Sequence, residues 1–327
     1  MPKYSTSLGC VDAQYIYNPD KTIHSIPIGV SKADHSISIR GRGVGTIVLA
    51  EGAADAEDIK MEMILRTDKQ ELLNKVKFRY PSIEDVRDGV AESKTRLDTP
   101  VDLYGSCMRY DIILSIPPTL KDLKIKTGTV TQLQFAPEAQ ITMDSLRISI
   151  QAIHEHAELS MVVPHANVHA KSLYLATRKG WLVGDVSIVN QTELDTHLGD
   201  AVTNVHVRPI PYSADGDDDS SAPTTAALKT HSGNGRTDIF YESDRVAPHR
   251  PILSTHKVAN TRKGEVYLTY KDAEFSGHVD VKAQSFSATG VRDMFNRTSS
   301  ALPWVGDENG GDMLVAESPI GWVGLYF

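Results

Sequence analysis

The sequence predicts an all-β fold of the solenoid type, on three observations. One pattern recurs: Leu175-Ala176-Thr177-Arg178-Lys179-Gly180, Leu194-Asp195-Thr196-His197-Leu198-Gly199 and Leu228-Lys229-Thr230-His231-Ser232-Gly233 all read Leu-x-Thr-x-x-Gly. The first two threonines are 19 residues apart and the last two 34, and the extra 15 match the length of Arg208 to Ala222, a Pro-, Ser- and Asp-rich stretch without strand pattern. With that stretch set aside as a loop, a period near 20 residues remains, the mark of units that bury their apolar faces only by stacking. Finally, Leu173, Leu175 and Thr177 alternate with other residues, as do Thr192, Leu194 and Thr196, which is the period of a strand buried on one face. The glycine closing each unit supplies a corner that a side chain would obstruct.

Taken in order, residues 1 to about 35 read as an irregular lead-in rich in Tyr, Pro and Asp. Strand material follows in His35 to Leu49, around a Gly41-Arg42-Gly43-Val44-Gly45 turn read as a hairpin or bulge. That turn is not a phosphate loop, because Thr46 to Leu49 favours a strand where a helix N-terminus would be needed. Ile59, Met61, Met63 and Leu65 alternate cleanly, Lys69 to Lys75 suits one helical turn, and Val76, Phe78 and Tyr80 return to period 2. Pro81 to Pro100 reads as a polar loop or hairpin, and Tyr110 to Ile116 as a strand ended by Pro117. Leu120 to Gly128 and Ile141 to Ile150 continue in strands, as do Val266 to Tyr270 and Val279 to Ala283. The end segment holds Trp304, Trp322, Tyr326 and Phe327, the aromatic content that would cover an open solenoid end.

The run Tyr110-Asp111-Ile112-Ile113-Leu114-Ser115-Ile116-Pro117, then Leu120-Lys121-Asp122-Leu123-Lys124-Ile125-Lys126-Thr127-Gly128, together with the Leu-x-Thr-x-x-Gly units, resembles the "putative adhesin" families of bacteria and fungi. The resemblance covers roughly residues 110 to 290, with a weaker echo in 35 to 80. It implies a single-stranded right-handed β-solenoid with irregular N- and C-terminal caps. The expected organisation is a β-rich cap over 1–109, a solenoid over 110–290 with an inserted loop at 208–222, and a C-terminal cap over 291–327. No catalytic residues follow from this resemblance.

Among 327 residues, 40% are hydrophobic and 23% charged, a soluble, folded composition. The net charge of −8 argues against a clustered basic face and hence against nucleic acid. No apolar run approaches a membrane span. No basic and apolar leader opens the chain, and Cys10 and Cys107 are too few for a disulfide framework, so free thiols and a cytoplasmic location are expected.

Two groups of residues are candidates for chemistry. If Thr177, Thr196 and Thr230 stack, then Arg178, His197 and His231 form a column with Asp185, Asp195 and Asp200 nearby. Such a column would bind an acidic sugar through Arg178, Lys179, Trp181 and Asp195. In an enzyme it would work by acid–base chemistry through His197, His231, Arg178 and Asp200. The competing reading is a solvated polar ladder. Trp181, Trp304 and Trp322 are possible sugar platforms, with core packing as the alternative. His154, His156, His165 and His169 have a metal-like spacing, with the first pair on one strand face, but no cysteine accompanies them. No metal or cofactor is expected. Asp215, Asp217, Asp218 and Asp219 lack the downstream glutamate of a calcium loop. A carbohydrate- or protein-binding scaffold is therefore expected, with a β-helical lyase, hydrolase or isomerase as the alternative.

Overall fold

The computed structural model describes residues 7–210, 224–243, 249–294 and 302–327. It is all-β apart from one five-residue α-helix and two short 3-10 turns among those residues. The chain falls into two units, Met1–Ala170 with Leu175–Trp181, and Lys171–Tyr174 with Leu182–Phe327. Among the described residues no helix is long and apolar enough to cross a membrane.

In the first unit, strands pair in parallel with strands distant in sequence. Lys94–Asp98, Asp34–Arg40, Asp122–Thr127 and Ile141–Ile150 lie side by side in that order. Met108–Ile116, Val44–Glu51, Thr131–Phe135 and Met161–Val163 form a second such series. Alternation decides which side chains turn inward: Ile37, Ile39, Leu123, Ile125, Leu146 and Ile148 are buried while their neighbours along the strand are not. Asp34–Arg40 and Val44–Glu51 belong to different series, so the glycines at 41–45 make a corner and not a hairpin.

Three segments carry more structure than their composition suggests. The lead-in contributes Tyr15–Ile16 and Ile23–Ile26, both antiparallel to Ile59–Thr67, which is itself antiparallel to Met108–Ile116. The stretch from 81 to 100 contains helix Ile83–Arg87, whose N-cap Ser82 Oγ accepts from Asp85 N at 3.1 Å, and strand Lys94–Asp98. The two cysteines are joined as a Cys10–Cys107 disulfide across a separation of 97 residues, which corrects the expectation of free thiols. Local pattern does not report a covalent link between such distant positions.

The second unit repeats the scheme. Gln191–Asp195, Ala226–Ser232 and Ile252–Val258 pair in parallel, as do Val202–Pro209, Thr237–Glu242 and Glu265–Asp272. The aromatic-rich end forms strand Asp312–Tyr326, whose first part lies beside Ile252–Val258 and whose second part lies beside Glu265–Asp272. Gly277–Thr289 pairs along nearly its whole length. Val202–Pro209 extends through 208 and 209, so the expected insert at 208–222 begins inside a strand. Its four aspartates lie outside the described residues.

Two glycines of the repeat, Gly199 and Gly233, stack, and Gly264 and Gly321 continue the column, whereas Gly180 packs on Ser160. A Cβ on Gly233 would meet the Gly199 carbonyl oxygen at 2.0 Å, one on Gly264 would meet that of Gly233 at 2.4 Å, and one on Gly321 that of Gly264 at 2.4 Å. The threonines do not follow. Thr230 is the partner of Leu194, and His231 of Asp195, so the strands are offset by two residues from the glycine corner. Arg250 is 6% exposed. Its guanidinium donates to the carbonyl oxygens of Ile188, Val189, Ile210 and Thr224 at 2.7–3.3 Å.

Candidate functional site

The candidate site residues fall in both units. Arg178, Lys179 and Trp181 belong to the first unit, and Asp195, His197, Asp200 and His231 to the second. In the first unit, Thr177 Oγ1 donates to the Lys179 carbonyl at 2.6 Å, and Gly180, at φ +90°, would place a Cβ 1.9 Å from the Ser160 carbonyl oxygen. Arg178 and Lys179 are therefore exposed turn residues, held by a backbone that accepts only glycine at the third position.

In the second unit, three of the candidates come together. Gln191–Asp195 ends with Leu194 inward and Asp195 on the opposite face, where Asp195 is 9% exposed. Its carboxylate accepts the Tyr174 hydroxyl at 2.9 Å, the His197 backbone N–H at 3.0 Å, and lies 2.5 Å from His197 Nδ1. A carboxylate that grips both backbone and ring of the residue two positions on is a local turn motif. It also holds the imidazole through Nδ1, and an oriented imidazole is what a general base requires. His231 is the strand neighbour of Asp195, and its Nε2 lies 3.9 Å from Glu193 Oε1. The column expected through His197 and His231 is thus replaced by a patch of Asp195, His197, Glu193 and His231, with Tyr174 beneath. Asp200 accepts from Asn234 Nδ2 at 3.0 Å. Tyr174 and Glu193 were missed because their contribution depends on strand register. The Asp195-x-His197 spacing was the one local signal available.

The four metal candidates do not share a strand face. His154 and His156 lie in the turn before the 3-10 segment Ala157–Leu159, and His156 takes φ +63°. His156 Nδ1 is 3.6 Å from Glu158 Oε1, while His165 Nδ1 accepts from Asn167 N at 3.2 Å. His169 lies in strand Val168–Thr177. Among the described residues no group of three or more His, Cys, Asp or Glu is arranged to hold a metal ion. His154 and His156 border a hollow of about 380 Å³ shared with Arg42 and the Cys10–Cys107 disulfide.

Of the tryptophans, Trp322 packs against Tyr267 with ring centroids 4.6 Å apart, and Arg236 lies 3.9 Å over the other ring. Arg236 is in turn held by Asp238 at 2.7 Å. The inward histidines are different in kind. His256 Nδ1 lies 2.9 Å from Thr230 Oγ1 and its Nε2 3.1 Å from the Tyr270 hydroxyl, and burial lowers its pKa to about 3. His35 is likewise lowered to about 4 by burial. Neither is open to a ligand.

No family model and no curated protein sequence matches the chain. Among solved structures it is similar to a "putative cell adhesion protein" from Clostridium sporogenes, at 10% identity over 93% of this chain and 98% of that chain, with a TM-score of 0.18.

Proposed function

We propose that the chain is a β-solenoid binding protein with an adhesin-like role, presenting strand-built polar faces to a carbohydrate or protein ligand. The observation that carries this reading is the openness of the candidate patch: the side chains of His197, in the turn after Gln191–Asp195, and His231, on strand Ala226–Ser232, are 45% and 40% exposed. The solenoid itself is supported by parallel registers linking alternate strands and by the stacked glycines at 199, 233, 264 and 321. The Cys10–Cys107 disulfide supports an oxidising compartment in place of the cytoplasmic expectation.

Retention of the full chain on a panel of immobilised polysaccharides, with the polymers recovered at unchanged length, is the expected result. Release of soluble oligosaccharide, abolished by His197→Asn, would overturn it. The second reading, a lyase or hydrolase, rests on the contact between Asp195 and His197, because an oriented imidazole is the minimum equipment for proton transfer.

A further inference from the structure

The net charge of −8 conceals a strongly basic face in the first unit. Five strands lie side by side there, Lys77–Arg79, Lys94–Asp98, Asp34–Arg40, Asp122–Thr127 and Ile141–Ile150. Their registers place Arg79, Arg96, Ser38, Lys126 and Ser149 in one row across the sheet. A second row holds Lys94, Ser36, Lys124 and Arg147. All occupy alternate positions opposite the buried Thr95, Leu97, Ile37, Ile39, Ile125 and Ile148, and so point away from the core. At strand spacing the first row spans about 19 Å, and the two rows stand about 6.7 Å apart.

Two features mark this face as more than solvated charge. Arg79 is the direct partner of Arg96, and Lys124 of Arg147. At Arg79 and Arg96 like charges stand opposite each other, a cost that Asp98 offsets in part and a bound anion would lower further. The face also ends in a hollow of about 520 Å³ lined by Arg40, Lys75, Lys77, Arg79 and Arg96. Asp98 and Asp102 border the hollow as well, and Asp98 pairs with Arg96 at 2.8 Å. At the opposite end the basic rows stop at a row containing Asp34 and Asp122, which sets a boundary.

From this we infer that the Ser36/Ser38/Lys124/Lys126 face and its adjoining hollow bind an acidic polysaccharide, one carrying carboxylate or sulfate groups along its length. Paired rows of cations suit a repeating anion. The serines between them suit the hydroxyl groups that such a chain carries and a phosphate backbone or lipid surface does not offer in the same way. The disulfide favours a compartment where such polymers are met.

The inference rests on the binding-protein reading above, and one experiment separates the two. Full-length protein is titrated at low salt with polygalacturonate, dextran sulfate, neutral dextran, a single-stranded DNA oligomer and phosphatidylserine vesicles. The expected result is binding to the first two, weakened by added salt. The variant Lys124→Ser/Lys126→Ser should lose about tenfold in affinity, since exposed charge contacts are individually modest. Lys229→Ser/Lys263→Ser, an equal charge change in the second unit, should bind as the parent does. The face variant should melt within a few degrees of the parent, because both lysines are exposed. Equal binding by both variants, preference for the DNA or the vesicles, or binding to none of the probes would overturn the inference. Shortening of a bound polymer would instead overturn the binding-protein reading and leave the site intact.

Discussion

Gly199 and Gly233 stand backbone against backbone, with a Cβ on Gly233 only 2.0 Å from the Gly199 carbonyl oxygen. No side chain can yield there, because the obstructing atom belongs to the main chain. Gly233→Ala is therefore expected to cost at least about 2 kcal/mol, read from urea midpoints. Gly311→Ala, at a position with nothing within 4 Å, should stay within about 0.5 kcal/mol of the parent. Equal effects at both sites would show that the corner can relax.

Arg250 is 6% exposed and serves five carbonyl oxygens from three segments of chain. Arg250→Met keeps much of the apolar stem and removes every donor. Stranded buried carbonyls cost about 1–3 kcal/mol each at full burial, so a net loss of about 3 kcal/mol is expected in chemical denaturation. A loss under about 1 kcal/mol would mean that water replaces the guanidinium.

The Cys10–Cys107 link ties the lead-in to the segment before Met108–Ile116. Reduction should lower stability by about 2–5 kcal/mol. The double variant Cys10→Ala/Cys107→Ala should be equally destabilised and indifferent to reductant. Identical midpoints with and without reductant in the parent would count against the link.

Burial lowers the pKa of His256 to about 3 and of His35 to about 4, both from 6.5. Below about pH 6.5 the unfolded chain takes up protons that the folded chain refuses, so stability falls as pH falls. Each histidine contributes a slope of about 1.4 kcal/mol per pH unit between that point and its folded value. Unfolding midpoints followed from pH 7 to 4.5 should decline accordingly, and ring resonances of both histidines should remain those of neutral imidazole at pH 5. A charged His256 in the folded protein at that pH would refute the assignment.

The strands were legible wherever one face is buried against an open one. Ile59, Met61, Met63 and Leu65 announce Ile59–Thr67, and Tyr110, Ile112 and Leu114 announce Met108–Ile116, because alternation is a local consequence of the pleat. Partnership was not legible. The repeat locates the glycine corner at Gly199 and Gly233 but not at Gly180, and the strands before the corner pair Thr230 with Leu194, since two residues are absorbed between strand end and corner. The patch at Asp195 was half visible: its histidine two positions on is local, but Tyr174 arrives from another strand. The basic face was hidden for the same reason, because no single strand of it carries more than a few of its cations.

The clamp at Arg250 also bears on how this protein can change over generations. Ile210 and Thr224, on either side of the inserted segment, are fastened to one guanidinium, and so the ends of that segment are set independently of what joins them. Such an arrangement is a port: sequences of differing length and chemistry can be exchanged at this point while the strands before and after it keep their register. A foreign epitope grafted between Ile210 and Thr224 is expected to be displayed with little change in melting temperature, and only while Arg250 is present.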